Sequence, residues 1–337
     1  MKALVYTRAN HISLQDIAYP DLRDGEVILR ITAAGICGSD MHAYHGKDPR
    51  RQPGLVLGHE LAGVVQESAS PLFRPGQRVT ANPSIACGAC SYCVAGRDNL
   101  CQDRGMVGMS RPGAFAQFMA IPASCLIGLP EGMSDLAAAL AEPAATALHA
   151  VNLAMRSLSR PLPEVGALVI GAGAIGLLTA LLLRSYGCRR VVLAETNPLR
   201  RQSAARHAAC EVYDPISDPA RSARFELVVD AVGAAPTRAL ALDGVRPGGT
   251  VVHIGLQDWA SEIDMRKLTL AEITLLGSYI YTMADMQATV AALHEGAFGD
   301  LGWVEQRSLV DGPAAFAALD SGAIAAGKLV LVPELED

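Results

Sequence analysis

Residues 167–187, ALVIGAGAIGLLTALLLRSYG, carry an apolar strand into a glycine turn and straight on into an apolar helix. Few architectures accommodate that unit. Gly171-Ala172-Gly173-Ala174-Ile175-Gly176 has the spacing G-x-G-x-x-G. The first glycine permits the tight turn, the second lets backbone approach a pyrophosphate, and the third lets helix and strand pack closely. The helix start then offers N–H donors and a positive dipole end to phosphates. In isolation the motif fits a packing turn equally well, so its surroundings decide. VVLAE (191–195) is a second strand, 198–209 a helix, and FELVVDAVG (225–233), TVVHIGL (250–256) and ITLLGSY (273–279) are further strands. Strands and helices alternating in this way imply an α/β domain with a doubly wound parallel sheet of the Rossmann kind.

Glu195 closes the second strand, nineteen residues beyond Gly176. A carboxylate there takes both ribose hydroxyls of NAD and repels the extra phosphate of NADP. The plainer alternative is a solvated strand end. Arg200 and Arg201 follow, placed to hold a 2′-phosphate or to stack on adenine. NAD is the expected cofactor. Its candidate contacts are Gly171, Gly173, Ala174, Ile175, Gly176, Glu195 and Arg200, with Val232, Ile254, Ser278 and Tyr279 at the ends of the later strands.

The first 130 residues have another texture. Runs at 26–33, 61–67 and 76–82 read as strands, punctuated by Gly35, Gly38, Pro53-Gly54 and Pro75-Gly76. They imply a compact, mostly antiparallel β domain. The Ala- and Leu-rich stretch 134–157 reads as one helix, 284–295 as another, and KLVLVP (328–333) as a final strand. With 337 residues, half of them hydrophobic, the chain has material for two cores. A net charge of −6 gives no sign of nucleic-acid or acidic-membrane binding. The longest apolar stretches are broken by Glu142, Pro143 and His149 or are rich in Gly and Ala, so no membrane span is expected. The start has no long apolar core of a signal peptide, and the cytoplasm is the expected compartment.

Four of the eight cysteines crowd into Cys87-x2-Cys90-x2-Cys93-x7-Cys101. Four thiolates on one loop can wrap a tetrahedral Zn²⁺ and leave no site for water or substrate, so such an ion would be structural. A disulfide pair, free thiols and an iron–sulfur cluster are the alternatives. Elsewhere Cys37-Gly38-Ser39-Asp40 and Gly58-His59-Glu60 supply a thiol, an imidazole and carboxylates from separate turns. These are too few to close a zinc shell, which leaves room for a water or an alcohol. Taken singly, a lone Cys is more often core and a lone His a satisfied hydrogen-bonder.

The segments AGICGSDMH (34–42), PGLVLGHELAGVV (53–65), CGACSYCVAGRDNLC (87–101), AEPAATALHA (141–150) and VIGAGAIG (169–176) follow one another across almost the whole chain. In that order the chain resembles the zinc-dependent medium-chain dehydrogenase/reductase family, on the branch of the sorbitol and threonine dehydrogenases. The resemblance implies two Zn²⁺ per chain. Cys37 and His59 would bind the catalytic ion, with Glu60 and Glu142 as its acidic ligands or near-ligands. Asp40 would orient the His59 ring. Ser39 would pass a substrate proton onward through the cofactor ribose, with His42 near the exit. The plainer readings are a turn hydroxyl for Ser39 and a surface residue for His42. The implied chemistry is Lewis-acid activation of an alcohol followed by hydride transfer to the nicotinamide.

The resemblance further implies a GroES-like catalytic domain from 1–140 and 281–337, a Rossmann domain over 141–280, and a homodimer or homotetramer joined by the Rossmann domains. One departure stands out. Ile280 occupies the position of an arginine that serves polyol binding in the sorbitol branch, while Tyr281 is retained. That weakens a polyol assignment. Lys47, Arg50 and Arg51 precede the GHE segment, as a solvated loop or as an attraction for an anionic substrate such as a sugar phosphate. An amino alcohol is a further option. A zinc-free quinone or enoyl reductase would lack the cysteine lobe and the Cys–His–Glu set. A non-enzymatic NAD- or zinc-binding regulator would be expected to lose the open-site ligands or the relay.

Overall fold

The computed structural model describes residues 1–218 and 224–334. The last three residues of the expected C-terminal stretch lie outside the described residues.

Six parallel strands form one sheet, in the spatial order Glu211–Tyr213, Arg190–Ala194, Gly166–Ile170, Phe225–Asp230, Val245–His253, Thr274–Gly277. Counted along the chain this is 3-2-1-4-5-6, the doubly wound order that reverses between its first and fourth strands. All five residues of Gly166–Ile170 are buried, as expected for a strand covered by helices on both faces. The helix Ala174–Ser185 buries Gly176 through Leu183, and packs against both the sheet and the helix Ala141–Ser157.

The N-terminal half is β-rich. The strand Glu26–Gly35 pairs antiparallel with Glu60–Ser68, Phe118–Pro122 and Lys328–Val332, at the centre of a seven-stranded sheet. A hairpin, Lys2–Arg8 with His11–Asp16, closes one side. Val304–Ser308 and Lys328–Val332 return from the far end of the chain to join the large sheet. Separate hydrophobic cores fill the β-rich half and the two faces of the parallel sheet. The helix Met283–His294 places Met286, Val290 and Leu293 in the parallel-sheet core, together with Phe298 and Trp303.

The stretch expected as one helix over 134–157 is two, Asp135–Ala139 and Ala141–Ser157, with Leu140 at the joint. Pro143 has no N–H to offer the Ala139 carbonyl four residues back, so the ladder is interrupted there. Glu142 consequently sits in the first turn of the second helix. Among the described residues no helix is long and apolar enough to cross a membrane.

Candidate metal and cofactor site

Cys37 follows the strand Glu26–Gly35 and stands at the N-cap of a short helix, Gly38–Tyr44. Asp40, at the third helical position, turns back so that its Oδ2 accepts the Cys37 N–H at 3.0 Å. The Cys-Gly-Ser-Asp spacing is therefore a helix start that presents a thiol and buries a carboxylate. His59 and Glu60 come from the turn into Glu60–Ser68, whose first residue lies opposite Gly35. A glycine is required there, because a Cβ on Gly35 would stand 2.0 Å from Glu60 Oε2. The ligand atoms of Cys37, His59 and Glu60 all lie within 4.8 Å of one another.

Around these three the side chains are buried and charged. Asp40 Oδ1 faces His59 Nδ1 at 3.5 Å, and neither atom has a hydrogen-bond partner. Ser39 Oγ lies 3.4 Å from His59 Nε2. Lys328 donates to both Glu60 oxygens at 2.6 and 2.7 Å, and to the Ile36 carbonyl. Glu142 stands outside the close group of three. Its Oε1 accepts the Tyr281 hydroxyl at 2.8 Å, and burial pushes its carboxyl up to about 7 against the opposing pull of His59. His42 is half-buried one turn beyond Ser39, with no hydrogen bond between the two. Burial, with Lys47 and His45 nearby, holds its pKa below the ordinary histidine value.

A divalent ion fits this donor set. Burial disfavours a charged imidazole at His59, yet Asp40 and Cys37 outweigh it and hold the pKa well above the usual histidine range. The orphaned Asp40 Oδ1 and His59 Nδ1 face each other behind the ring, which leaves Nε2 for an ion. Sulfur, nitrogen and oxygen from three residues suit Zn²⁺ and leave its shell open.

Two residues of this network were not legible as part of it. Arg51, weighed as a solvated loop residue or an attraction for anions, is neither. Its side chain is fully buried. It donates to Asp48 at 2.7 Å, to the Gly108 carbonyl, and to both the carbonyl and the hydroxyl of Ser39. Arg50 is clamped to the same Asp48. Lys328 begins the last strand, and only its position at the head of an apolar run hints at a buried role.

The cysteine lobe is closed at its base by Ser84–Ile85 paired with Gly105–Met106. The four sulfurs lie within 4.8 Å of one another, with Cys90–Cys93 at 3.5 Å and Cys87–Cys93 at 3.9 Å. All eight cysteines are free. Tetrahedral Zn–S bonds of about 2.3 Å put sulfurs about 3.8 Å apart, which matches this lobe. A multi-iron cluster spaces its cysteines more widely. Amide N–H groups of Ala89 and Cys90 draw the Cys87 thiol down to about 7, while burial and sharing with Cys90 push Cys93 up to about 12.

At the glycine turn, an added Cβ on Gly176 would stand 1.8 Å from the Gly171 carbonyl, and one on Gly171 would strike Val232. On Gly173 it would meet nothing, and Gly173 has an ordinary backbone conformation. Packing therefore explains the outer two glycines, while the middle one leaves open space in front of the helix start, as an approaching pyrophosphate would need. Glu195 is buried beside this turn. Its oxygens accept the N–H groups of Ala172 and Asn197 at 2.8 and 2.7 Å, and the Arg200 guanidinium at 3.2 Å. Burial opposes its charge, but Arg200 and the two amides hold its pKa below the ordinary value. Arg201 donates to the carbonyls of Glu195 and Thr196. Ala174 and Ile175 open the helix after the turn. Val232, Ile254, Ser278 and Tyr279 follow the carboxyl ends of their strands, at the same end of the sheet. Ser278 Oγ is buried without a partner. Ile280 has φ +39°, an unusual backbone for a β-branched residue.

Residues 23–131 match the alcohol dehydrogenase GroES-like domain, and residues 174–295 match the zinc-binding dehydrogenase family. The L-threonine 3-dehydrogenase of Mesorhizobium japonicum is 31% identical over 346 aligned positions, 98% of each chain. A dehydrogenase of Sinorhizobium meliloti 1021, assigned to the zinc-binding class and solved with NADP, is 29% identical and superposes with a TM-score of 0.89 over 98% of this chain and 99% of that one. The acetophenone reductase of Geotrichum candidum, solved with NAD, is 28% identical, with a TM-score of 0.88 over 98% and 96%.

Proposed function

The chain belongs to the zinc-dependent medium-chain alcohol dehydrogenase family, on the threonine- and sorbitol-dehydrogenase branch, and from that premise we propose that it oxidises a secondary alcohol or polyol to a ketone, reversibly, with NAD. The observation that carries this reading is the close set of Cys37, His59 and Glu60 beside the Ser39 hydroxyl. A Zn²⁺ held by Cys37, His59 and Glu60 would supply Lewis-acid polarisation of an alcohol oxygen, and a nicotinamide bound at the glycine turn would supply the hydride acceptor.

The chain's own residues do the rest. Asp40 fixes the His59 ring from behind. Ser39 Oγ, held by Arg51, stands where it can take the substrate proton, and His42 leads that proton outward. Lys328 holds Glu60, and Tyr281 holds Glu142, so both acids are kept in place near the ion. Cys87, Cys90, Cys93 and Cys101 hold a second, structural Zn²⁺. The glycine turn with Ala174, Ile175, Val232, Ile254, Ser278 and Tyr279 cradles the dinucleotide. Glu195 takes the ribose hydroxyls, and Arg200 leans on Glu195 rather than on a 2′-phosphate.

We divide the chain into a GroES-like part, from 1–140 plus the C-terminal stretch, and a Rossmann part beginning at 141. The packing of Met286, Val290, Leu293, Phe298 and Trp303 favours a return near 304 rather than at 281. Two copies would meet at the open edge strand Thr274–Gly277, whose backbone is paired on one side only, giving a homodimer or, doubled, a homotetramer. Eight free cysteines suit the reducing cytoplasm.

The test combines metal analysis with kinetics. Two zincs per chain, and turnover of polyols, diols or amino alcohols with a higher kcat/KM for NAD than for NADP, are the expected results. One zinc per chain with no turnover would point to a regulator instead. Ser39→Ala should keep both zincs and lose most turnover, and full turnover would remove Ser39 from the relay.

A further inference from the structure

The segment that follows the last parallel strand is gripped from two sides. On one side stands the cysteine lobe. Asn99, buried next to the lobe, donates its Nδ2 to the Tyr279 carbonyl at 3.1 Å. The Arg104 guanidinium lies 4.8 Å from the Tyr279 ring centroid and donates to its hydroxyl at 3.0 Å. Asp98 accepts the Met283 N–H at 3.2 Å. On the other side stands the helix Ala141–Ser157. There Glu142 accepts the Tyr281 hydroxyl, while His149 and Asn152 hold Asp285, which in turn caps Thr282.

Between the two grips sits Ile280, in a positive-φ conformation that β-branched residues avoid. Strain of that kind persists only where the surroundings over-determine it. The lobe contacts fall on both sides of the strained residue, at Tyr279 and Met283. Arg104 is itself tied to the Cys101 carbonyl. The grip is therefore built onto the loop that the four thiols close.

We propose that the cysteine lobe works as a clamp, in which Asp98, Asn99 and Arg104 are positioning residues that hold the strained Tyr279–Met283 turn and so keep the Tyr281 hydroxyl on Glu142. This rests on the dehydrogenase reading of the site. Released from the lobe, Ile280 relaxes to negative φ, the peptide ahead of Tyr281 rotates, and the hydroxyl leaves Glu142. The lobe's ion thereby contributes to the reaction without touching substrate, by fixing the shape of the loop that carries the clamp.

The experiment uses the full-length, zinc-loaded chain and hydrogen–deuterium exchange, with kinetics alongside. Asn99→Ala and Arg104→Ala should speed exchange in the peptide covering 279–283 by about tenfold or more while leaving the lobe peptide and both zincs unchanged. The same variants should lower kcat by about tenfold, with KM for the alcohol moving far less, as expected when orientation rather than binding is lost. Arg104→Lys, which keeps a cation over the ring, should recover part of the protection. Adding Ile280→Asn to Arg104→Ala should recover more, because asparagine tolerates positive φ. Unchanged exchange at 279–283 in both alanine variants would overturn the clamp. So would equal damage from Arg104→Lys and Arg104→Ala with no recovery through Ile280→Asn. If the chain turns over no alcohol at all, the functional reading fails, while the exchange data still decide the clamp.

Discussion

Arg51 illustrates how much of the site rests on residues that touch no substrate. It neutralises Asp48, lies 3.8 Å from Asp40, and braces both polar atoms of Ser39. Arg51→Ala removes the buried cation beside Asp40, leaves Asp48 to Arg50 alone and strips the Ser39 carbonyl of its donor, and should cost about 3–5 kcal/mol in denaturant unfolding. Arg51→Lys should rescue little of it, since an ammonium cannot span the same fork of acceptors. Gly35 yields a second expectation at this scale. Gly35→Ala drives a methyl into Glu60, so metal analysis should show loss of the open-site zinc with retention of the lobe zinc. The four lobe cysteines stood out through residue type and short spacing, whereas Cys37 and His59, 22 residues apart, stood out only through the family resemblance, and the structure brings each group together. Arg51 and Lys328 did not stand out, because their partners are set by tertiary contact: Lys328 meets Glu60 across 268 residues.

At the scale of elements, the helix Met283–His294 depends on one carboxylate. Asp285 accepts the Thr282 N–H and hydroxyl, His149 and Asn152, and so ties this helix to Ala141–Ser157. Burial opposes its charge, but His149 and Thr282 outweigh that and hold its pKa below the ordinary aspartate value. An acid depressed in the folded state adds stability that is present above its unfolded pKa near 3.8 and is lost as pH falls through the folded value. Asp285→Asn should cost about 1–3 kcal/mol at neutral pH and flatten the acid limb of a stability–pH curve below pH 4. Five of the six strands of the parallel sheet were readable from their unbroken apolar runs, and the three-residue Glu211–Tyr213 was not. The break at Leu140 and the brevity of Thr274–Gly277 were not, because apolar periodicity continues past the point where hydrogen bonding stops.

Over the whole molecule, two differently built halves share one chain. Of the order 3-2-1-4-5-6, the glycine turn and five of the six strands stand out in the sequence, whereas the third strand, Glu211–Tyr213, is too short an apolar run to be read and the spatial order is set by tertiary pairing. The seven-stranded sheet was less legible, because two of its strands arrive from beyond residue 300. The edge strand Thr274–Gly277 leaves Leu275 39% exposed, next to the exposed Leu270 and Met265. If two copies meet at this edge as proposed, Leu275→Asp should shift the sedimentation coefficient to that of a monomer at micromolar concentration, with the far-ultraviolet circular dichroism unchanged. The bond from Lys328 to Glu60 also has a consequence in time. A ribosome adding about 5–20 residues per second needs roughly 13–54 s to go from Glu60 to Lys328. Throughout that interval the nascent chain carries a thiol, an imidazole and a carboxylate without the lysine that holds the carboxylate in place. The contact that fixes Glu60 therefore forms only once residue 328 has been made, whereas all four lobe cysteines are in the chain by residue 101.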